Sequence, residues 1–105
     1  MSDKQFAVVG KVDDLPAGER LWHEFEYETI VVFNIDGSYY AIDDICTHDN
    51  GPLADGPVVD MCVMCPRHGA KFDLRTGAAT FPAVKPVKTY EVRLENGNIL
   101  VEVPE

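Results

Sequence analysis

The chain has 105 residues, of which 46% are hydrophobic and 26% are charged, a size and balance typical of one compact domain, residues 1–105. Its formal net charge of −9 disfavours binding to nucleic acid or anionic lipid, because both require a basic surface. The N-terminus lacks a signal-peptide pattern, and no apolar run approaches the length of a membrane span. We therefore expect a cytoplasmic protein, in which three cysteines favour metal ligands or reactive thiols over disulfides.

Short β-rich segments separated by Gly, Pro, Asn and Asp predict an all-β fold, and no helical period is sustained along the chain. Residues 6–12, FAVVGKV, form the first predicted strand. Residues 20–28 form the second, and their alternation places one set of side chains on a buried face. That set is Leu21, His23, Phe25 and Tyr27.

Two predicted hairpins follow. TIVVFNI and YYAID flank Asp36-Gly37-Ser38, and YEVRLE and ILVEV flank Asn96-Gly97-Asn98, so in each turn a glycine supplies a positive φ. Between the hairpins, an insertion at about 46–86 holds all three cysteines, two of the three histidines and five of the seven prolines. We interpret the hairpins as a scaffold and this insertion as the functional part.

Two loops of the insertion each offer one thiolate and one imidazole. CTHDNGPL contains Cys46 and His48, CPRHGAKF contains Cys65 and His68, and a predicted strand, PVVDMCVM, brings the second loop back beside the first. One tetrahedral zinc accepts a Cys₂His₂ set, although structural zinc sites usually take a CxxC pair and a separate histidine pair. Two mixed pairs at near-equal spacing favour a dinuclear centre, with both cysteines on one iron and both histidines on the other.

The pattern CxH, sixteen residues, CxxH, together with CPRHG and KFDLRTG, resembles the Rieske [2Fe–2S] family. The resemblance implies one [2Fe–2S] cluster, with Cys46 and Cys65 on one iron and His48 and His68 on the other. It also implies an antiparallel β-sandwich with an inserted cluster-binding subdomain. Among Rieske proteins the chain is similar to the ferredoxin components of ring-hydroxylating dioxygenase systems.

That similarity implies a soluble electron carrier with no catalytic residues, a monomer that forms transient complexes and binds neither nucleic acid nor membrane. Such a carrier passes single electrons from a flavoprotein reductase to a terminal non-haem iron oxygenase. Two alternatives stay open. One is the small subunit of assimilatory nitrite reductase, which shares the fold, and the other is a zinc-binding interaction module that uses the same four ligands.

Two residues capable of chemistry are left outside this ligand set. Cys62 forms a CxxC with Cys65, but a redox dithiol normally lies at a helix N-terminus, so we interpret Cys62 as a small side chain on a strand. We interpret His23 as a hydrogen-bonded histidine within the sheet. With His48 and His68 committed to the cluster, the sequence lacks the two further histidines of an oxygenase iron site.

The resemblance also carries expectations about potential and docking. Ala70 and Phe72 stand where high-potential respiratory members have a serine and a tyrosine that donate to sulfur, which predicts a low midpoint potential. The segment FPAVKPV, Phe81–Val87, has the composition of the proline segment that covers the cluster in the family, so its first two residues either shield the cluster or form a rigid connection. We expect partly electrostatic docking, with electrons crossing at the histidine edge near Pro52 and Leu53.

Overall fold

The computed structural model describes residues 4–47, 51–67 and 69–104. Along this part of the chain ten strands and one 3₁₀ turn follow each other, which confirms the all-β prediction. The elements are β1 Phe6–Lys11, the 3₁₀ turn Val12–Asp14, β2 Arg20–Glu24, β3 Thr29–Ile35, β4 Ser38–Asp43, β5 Val58–Val59, β6 Cys62–Met64, β7 Lys71–Asp73, β8 Thr89–Tyr90, β9 Val92–Glu95 and β10 Asn98–Glu102. In these three ranges no helix is long and apolar enough to cross a membrane.

The strands form three sheets, with the orders β1-β10-β9, β2-β3-β4-β8 and β5-β6-β7. The pairs β1/β10, β10/β9, β2/β3, β5/β6 and β6/β7 are all antiparallel, as predicted. The chain divides into two compact units. The terminal unit comprises Met1–Ala41 and Tyr90–Glu105, and the cysteine unit comprises Ile42–Thr89 and contains all three cysteines. A single domain with an insertion at about 46–86 stays a prediction.

The core of the terminal unit forms around β3, whose side chains from Ile30 to Asn34 are all buried. Asn34, the one buried polar residue of that run, donates from Nδ2 to the Leu15 carbonyl oxygen at 2.8 Å and accepts from the Gly37 amide at 2.9 Å. It thereby closes the predicted turn, where Asp36 and Gly37 both have positive φ. The core cluster comprises Leu15, Ile30, Val32, Ala41, Tyr90, Ile99 and Val101.

The second predicted strand is shorter than its sequence pattern indicates. β2 ends at Glu24, and the Phe25 amide then donates to the Glu28 carbonyl oxygen at 2.7 Å, which closes a turn. Tyr27 lies in this turn and is 86% exposed, so its predicted place on the buried face is wrong. The alternation misleads here because polar and aromatic residues continue to alternate after the chain has left the strand. His23 packs edge-on against Phe25, with 4.7 Å between ring centroids.

In the cysteine unit the strand predicted over residues 57–64 is a hairpin instead. β5 and β6 pair through Val58 and Val63, and both residues of the intervening turn, Asp60 and Met61, have positive φ. The apolar run hid this turn because it contains no glycine, although an aspartate tolerates the left-handed conformation. β6 also pairs with β7 through Val63 and Phe72, and both of these side chains are fully buried.

Candidate metal centre

The two cysteines predicted to bind metal follow two strands of the cysteine unit. Cys46 lies three residues after β4, and Cys65 comes directly after β6. Their exposed fractions are 0% and 1%, and both are thiols rather than halves of a disulfide. The other two predicted ligands, His48 and His68, lie outside the described residues. The structure therefore describes the two cysteines of the predicted ligand set, and the set itself stays a prediction.

Asp44 fixes the loop that carries Cys46. One carboxylate oxygen, Oδ1, accepts hydrogen bonds from the Leu53 amide at 2.9 Å and the Ala54 amide at 2.7 Å. Within the same loop, the Cys46 amide donates to the Gly51 carbonyl oxygen at 2.7 Å. Because a charged acceptor makes stronger hydrogen bonds than a neutral one, Asp44 holds the returning end of the loop firmly beside its start.

A tight turn fixes the loop that carries Cys65. The Cys65 amide donates to the Ala70 carbonyl oxygen at 2.7 Å, and the Cys65 carbonyl oxygen accepts from the Gly69 amide at 3.0 Å. Gly69 has a φ of 77°, a conformation that glycine adopts at little cost. Both backbone groups of the cysteine are thus engaged within its own loop.

The two loops lie side by side, as the sequence predicts. A Cβ built on Gly51 would stand 2.8 Å from Nη2 of Arg67, so the guanidinium group lies against the backbone of the first loop. A Cβ built on Gly56 would overlap the Met64 carbonyl oxygen and stand 3.4 Å from Cδ of Pro66. The absence of a side chain at Gly51 lets the second loop approach the first, and its absence at Gly56 lets the chain after the first loop pack against the end of β6.

This arrangement suits a thiolate-bound metal centre better than a reactive thiol. Reactive cysteines are partly exposed, whereas Cys46 and Cys65 are sealed from solvent and lie on adjacent, hydrogen-bonded loops. Soft thiolate ligands select iron–sulfur clusters and zinc. Within 4–47, 51–67 and 69–104, no three His, Cys, Asp or Glu side chains form a metal-holding group. The residues present fit a cluster with two cysteine ligands, one from each loop.

The remaining residues singled out from the sequence have mixed outcomes. Cys62 is half-buried on β6, opposite Asp73 of β7, so it lies on a strand as predicted. Electron crossing at the histidine edge near Pro52 and Leu53 stays a prediction; Pro52 is exposed and Leu53 is fully buried. Phe81 is 86% exposed and Pro82 is partly buried; the two alternative roles of this segment, cluster shield and rigid connection, both stay predictions.

The turn after β7 explains part of the KFDLRTG motif. The Asp73 side chain accepts hydrogen bonds from the Arg75 guanidinium at 2.9 and 3.1 Å and from the amides of Arg75 at 2.7 Å and Thr76 at 3.3 Å. These bonds, led by that from the Arg75 side chain, lower the pKa of Asp73 from 3.8 to about 2. The motif therefore specifies a turn held by one ionised carboxylate.

Two residues of the loops were not singled out from the sequence: Asp44, which holds the first loop closed, and Arg67, which lies against Gly51. Asp44 had a sequence signal, because an aspartate two residues before a candidate ligand, with Gly-Pro further on, is typical of a loop closed by a side-chain acceptor. Arg67 had no such signal, since its contact with Gly51 depends on how the two loops meet.

Comparison with known proteins agrees with this site. Residues 5–91 match the model of the Rieske [2Fe–2S] domain. The chain is 42% identical over 96 residues to the 3-phenylpropionate/cinnamic acid dioxygenase ferredoxin subunit of Escherichia coli K12, and the match covers 90% of each chain. Among solved structures, Sphingomonas yanoikuyae B1 ferredoxin is 34% identical with a TM-score of 0.85, covering 95% of this chain and 100% of that one.

Two further structures bear on partners and on the nitrite reductase alternative. A chain in a complex of reduced oxygenase and oxidised ferredoxin of carbazole 1,9a-dioxygenase is 25% identical, with a TM-score of 0.85 and 92% of each chain covered. A chain described as an NADH-dependent nitrite reductase small subunit from Mycobacterium tuberculosis has a TM-score of 0.86 at 20% identity, covering 99% of each chain. At that identity the second likeness shows a shared fold alone.

Proposed function

The chain belongs to the Rieske [2Fe–2S] domain family, and from that premise we propose that it accepts single electrons from a flavoprotein reductase and delivers them to a terminal non-haem iron oxygenase. The observation that carries this proposal is the pair of buried thiols, Cys46 and Cys65, on two adjacent loops. The likeness to dioxygenase ferredoxin subunits supports an electron-transfer component rather than a catalyst.

We propose that Cys46 and Cys65 hold one iron of the [2Fe–2S] cluster and that His48 and His68 hold the other. The bound cluster supplies a centre that gains and loses one electron. With two neutral imidazoles in place of two thiolates, such a centre accepts an electron more easily than a four-cysteine cluster does. A ligand set with Cys62 in place of a histidine would carry one more negative charge and would accept an electron less easily.

The residues of this chain hold the two cysteine ligands in positions that stay the same when the cluster gains or loses an electron. The Asp44 carboxylate holds the first loop through two amides, and the Cys65 backbone is hydrogen-bonded on both sides. Burial of both thiols excludes water from the sulfur ligands. Since the partner proteins perform the chemistry on substrate, this chain needs no general acid, base or nucleophile.

The family membership weighs against the two alternatives. A zinc module requires a colourless protein without labile sulfide, whereas Rieske domains bind [2Fe–2S] clusters. The curated relative and the ferredoxin structure share more identity with this chain than does the nitrite reductase subunit. We further propose that the chain acts as a cytoplasmic monomer of one domain, with a cluster-binding insertion at about 46–86.

The proposal is tested first on the cofactor and then on electron transfer. We expect a red-brown protein with two irons and two labile sulfides per chain, measured by elemental analysis and visible absorbance. The dithionite-reduced protein should then be reoxidised by the oxygenase component of the Escherichia coli 3-phenylpropionate/cinnamic acid dioxygenase in stopped-flow mixing. A colourless, zinc-loaded protein would reject the cluster, and an intact cluster that the oxygenase never reoxidises would reject the proposed partner.

A further inference from the structure

The segment from Thr80 to Val87 presents apolar side chains to solvent in a regular way. Phe81 is 86% exposed and Val84 is 84% exposed. Ala83, which lies between them, is 3% exposed, and Val87, which follows them, is 2% exposed. We name the pair Phe81 and Val84 the apolar ridge. Each of these exposed side chains forgoes the free energy of burial, and the two lie three residues apart on one segment.

The backbone beneath the ridge is hydrogen-bonded to the rest of the cysteine unit. The Thr80 amide donates to the Lys71 carbonyl oxygen at 2.9 Å, and the Thr80 hydroxyl accepts from the Lys71 amide at 2.8 Å. The Ala83 amide donates to the Thr80 carbonyl oxygen at 3.0 Å, and the Val87 amide to that of Gly77 at 2.9 Å. A ridge held in this way costs a partner little conformational entropy on binding.

The same segment is joined to the first ligand loop. The Thr47 hydroxyl donates to the Lys85 carbonyl oxygen at 2.6 Å, and Thr47 directly follows Cys46. Lys85, which follows Val84, is therefore in contact with Thr47, which follows the proposed cluster ligand Cys46. A protein that rests on the ridge comes close to the loop that carries this ligand.

Charge is distributed unequally between the two units. The cysteine unit has six acidic residues against five Lys and Arg, whereas the terminal unit has twelve against four. The acidity that dominates the whole chain is thus almost absent from the unit that carries the cysteines. A complementary partner surface for this unit is apolar and near neutral rather than strongly basic.

We propose that the apolar ridge is the surface on which the terminal oxygenase docks, through an apolar patch of its own. This inference rests on the proposed function and adds named docking residues to the histidine edge near Pro52 and Leu53 that the sequence predicts. Leu53 is fully buried, so the exposed ridge rather than Leu53 offers apolar contact area beside the first ligand loop. Contact between apolar surfaces, rather than ion pairing, then holds the complex while the electron crosses.

The test compares a Phe81→Gln/Val84→Gln double variant with a Tyr27→Gln control. Tyr27 is as exposed as Phe81 but belongs to the terminal unit, so the control removes an equally accessible aromatic ring elsewhere. Visible spectrum and midpoint potential should match wild type in both variants. Reduced proteins are mixed with the oxygenase used above in about 0.5 M salt, where the Debye length of a few Å screens long-range charge effects.

We expect the second-order rate constant for oxygenase reduction to fall about tenfold or more in the double variant and to change less than about twofold in the control. A double variant that reacts as fast as wild type would overturn the ridge as the docking surface, and so would an equal fall in the control. If only the reductase-driven step slowed, the ridge would belong to the reductase and the proposal would be wrong. Wild type is measured first, so its failure to reduce the oxygenase would reject the proposed function instead.

Discussion

Gly56 lies directly against the Met64 carbonyl oxygen, so that a Cβ on residue 56 would overlap it. This contact packs the chain just after the first ligand loop against the strand that leads into Cys65. Gly51 makes a comparable approach to Arg67, but there the neighbouring atoms belong to the end of a flexible side chain. The two glycines therefore have the same geometric role and different tolerance to a side chain.

We predict that Gly56→Ala lowers the free energy of unfolding by about 3 kcal/mol, because a backbone oxygen of β6 must move to admit the methyl group. Gly51→Ala should cost less than about 1 kcal/mol, since the Arg67 guanidinium can swing away. Urea denaturation followed by circular dichroism measures both. Equal losses in the two variants would show that Arg67 is held as firmly as the backbone.

The turn after β7 predicts a pH-dependent contribution to stability. Asp73 has a pKa lowered to about 2 from 3.8, so its hydrogen bonds to Arg75 and Thr76 stabilise the fold above about pH 4. That contribution is lost as the pH falls towards 2, because the carboxylate is then protonated in the folded state as well. Since Arg75 is 56% exposed, solvent screening reduces the contribution to about 1 kcal/mol.

Asp73→Asn should therefore destabilise the protein by about 1 kcal/mol at pH 7 and by progressively less as the pH falls from 4 to 2. Unfolding by urea at several pH values measures the difference from wild type. Asp55→Asn, which removes an exposed aspartate of the same unit, controls for the loss of one negative charge. If the loss in free energy of unfolding caused by Asp73→Asn stayed constant down to pH 2, ionisation of Asp73 would not be the source of the stabilisation.

The sequence predicted most of the scaffold because its signals are local. Glycine in the turns at Gly37 and Gly97, and the apolar run of β3, specify conformation within a few residues. The sequence did not predict the turn at Asp60 and Met61, because this turn adopts positive φ without a glycine. It also misplaced Tyr27 on a buried face, because alternation in the sequence does not show where a strand stops.

For the candidate site, spacing predicted two adjacent loops, and burial of Cys46 and Cys65 agrees with that prediction. The contacts that hold the loops were not predictable in the same way. Arg67 reaches Gly51 across the interface between loops, and Thr47 reaches Lys85 across 38 residues of sequence. Such contacts depend on the tertiary fold, and so does the exposure of Phe81 beside the buried Ala83.

The proposed ligand set predicts that Cys46, His48, Cys65 and His68 are each required for the cluster, whereas Cys62 is dispensable. Cys62 is half-buried on β6, so Cys62→Ala leaves only a small gap there and serves as the matched control for Cys65→Ala. Iron and labile sulfide are assayed in each purified alanine variant. Full cluster content without Cys65, or complete loss without Cys62, would overturn the assignment.

The last prediction concerns the midpoint potential and rests on two buried residues beside the second ligand loop. Ala70 and Phe72 are both fully buried, and the Ala70 carbonyl oxygen accepts the hydrogen bond from the Cys65 amide. Neither side chain can donate a hydrogen bond to sulfur. The extra negative charge of the reduced cluster is then less stabilised, so we expect a midpoint near the bottom of the Rieske range, ~−150 mV.

Ala70→Ser and Phe72→Tyr should each raise the midpoint in protein-film voltammetry, and the double variant should raise it further, because each hydroxyl adds a donor that favours the reduced state. Ala78→Ser places the same hydroxyl at an exposed position of the following turn and should leave the potential unchanged. A buried hydroxyl that fails to reach sulfur lowers stability instead, so urea denaturation is measured on the same samples. A stable Ala70→Ser variant with an unshifted potential, or a wild-type midpoint well above zero, would show that groups other than these two side chains set the potential.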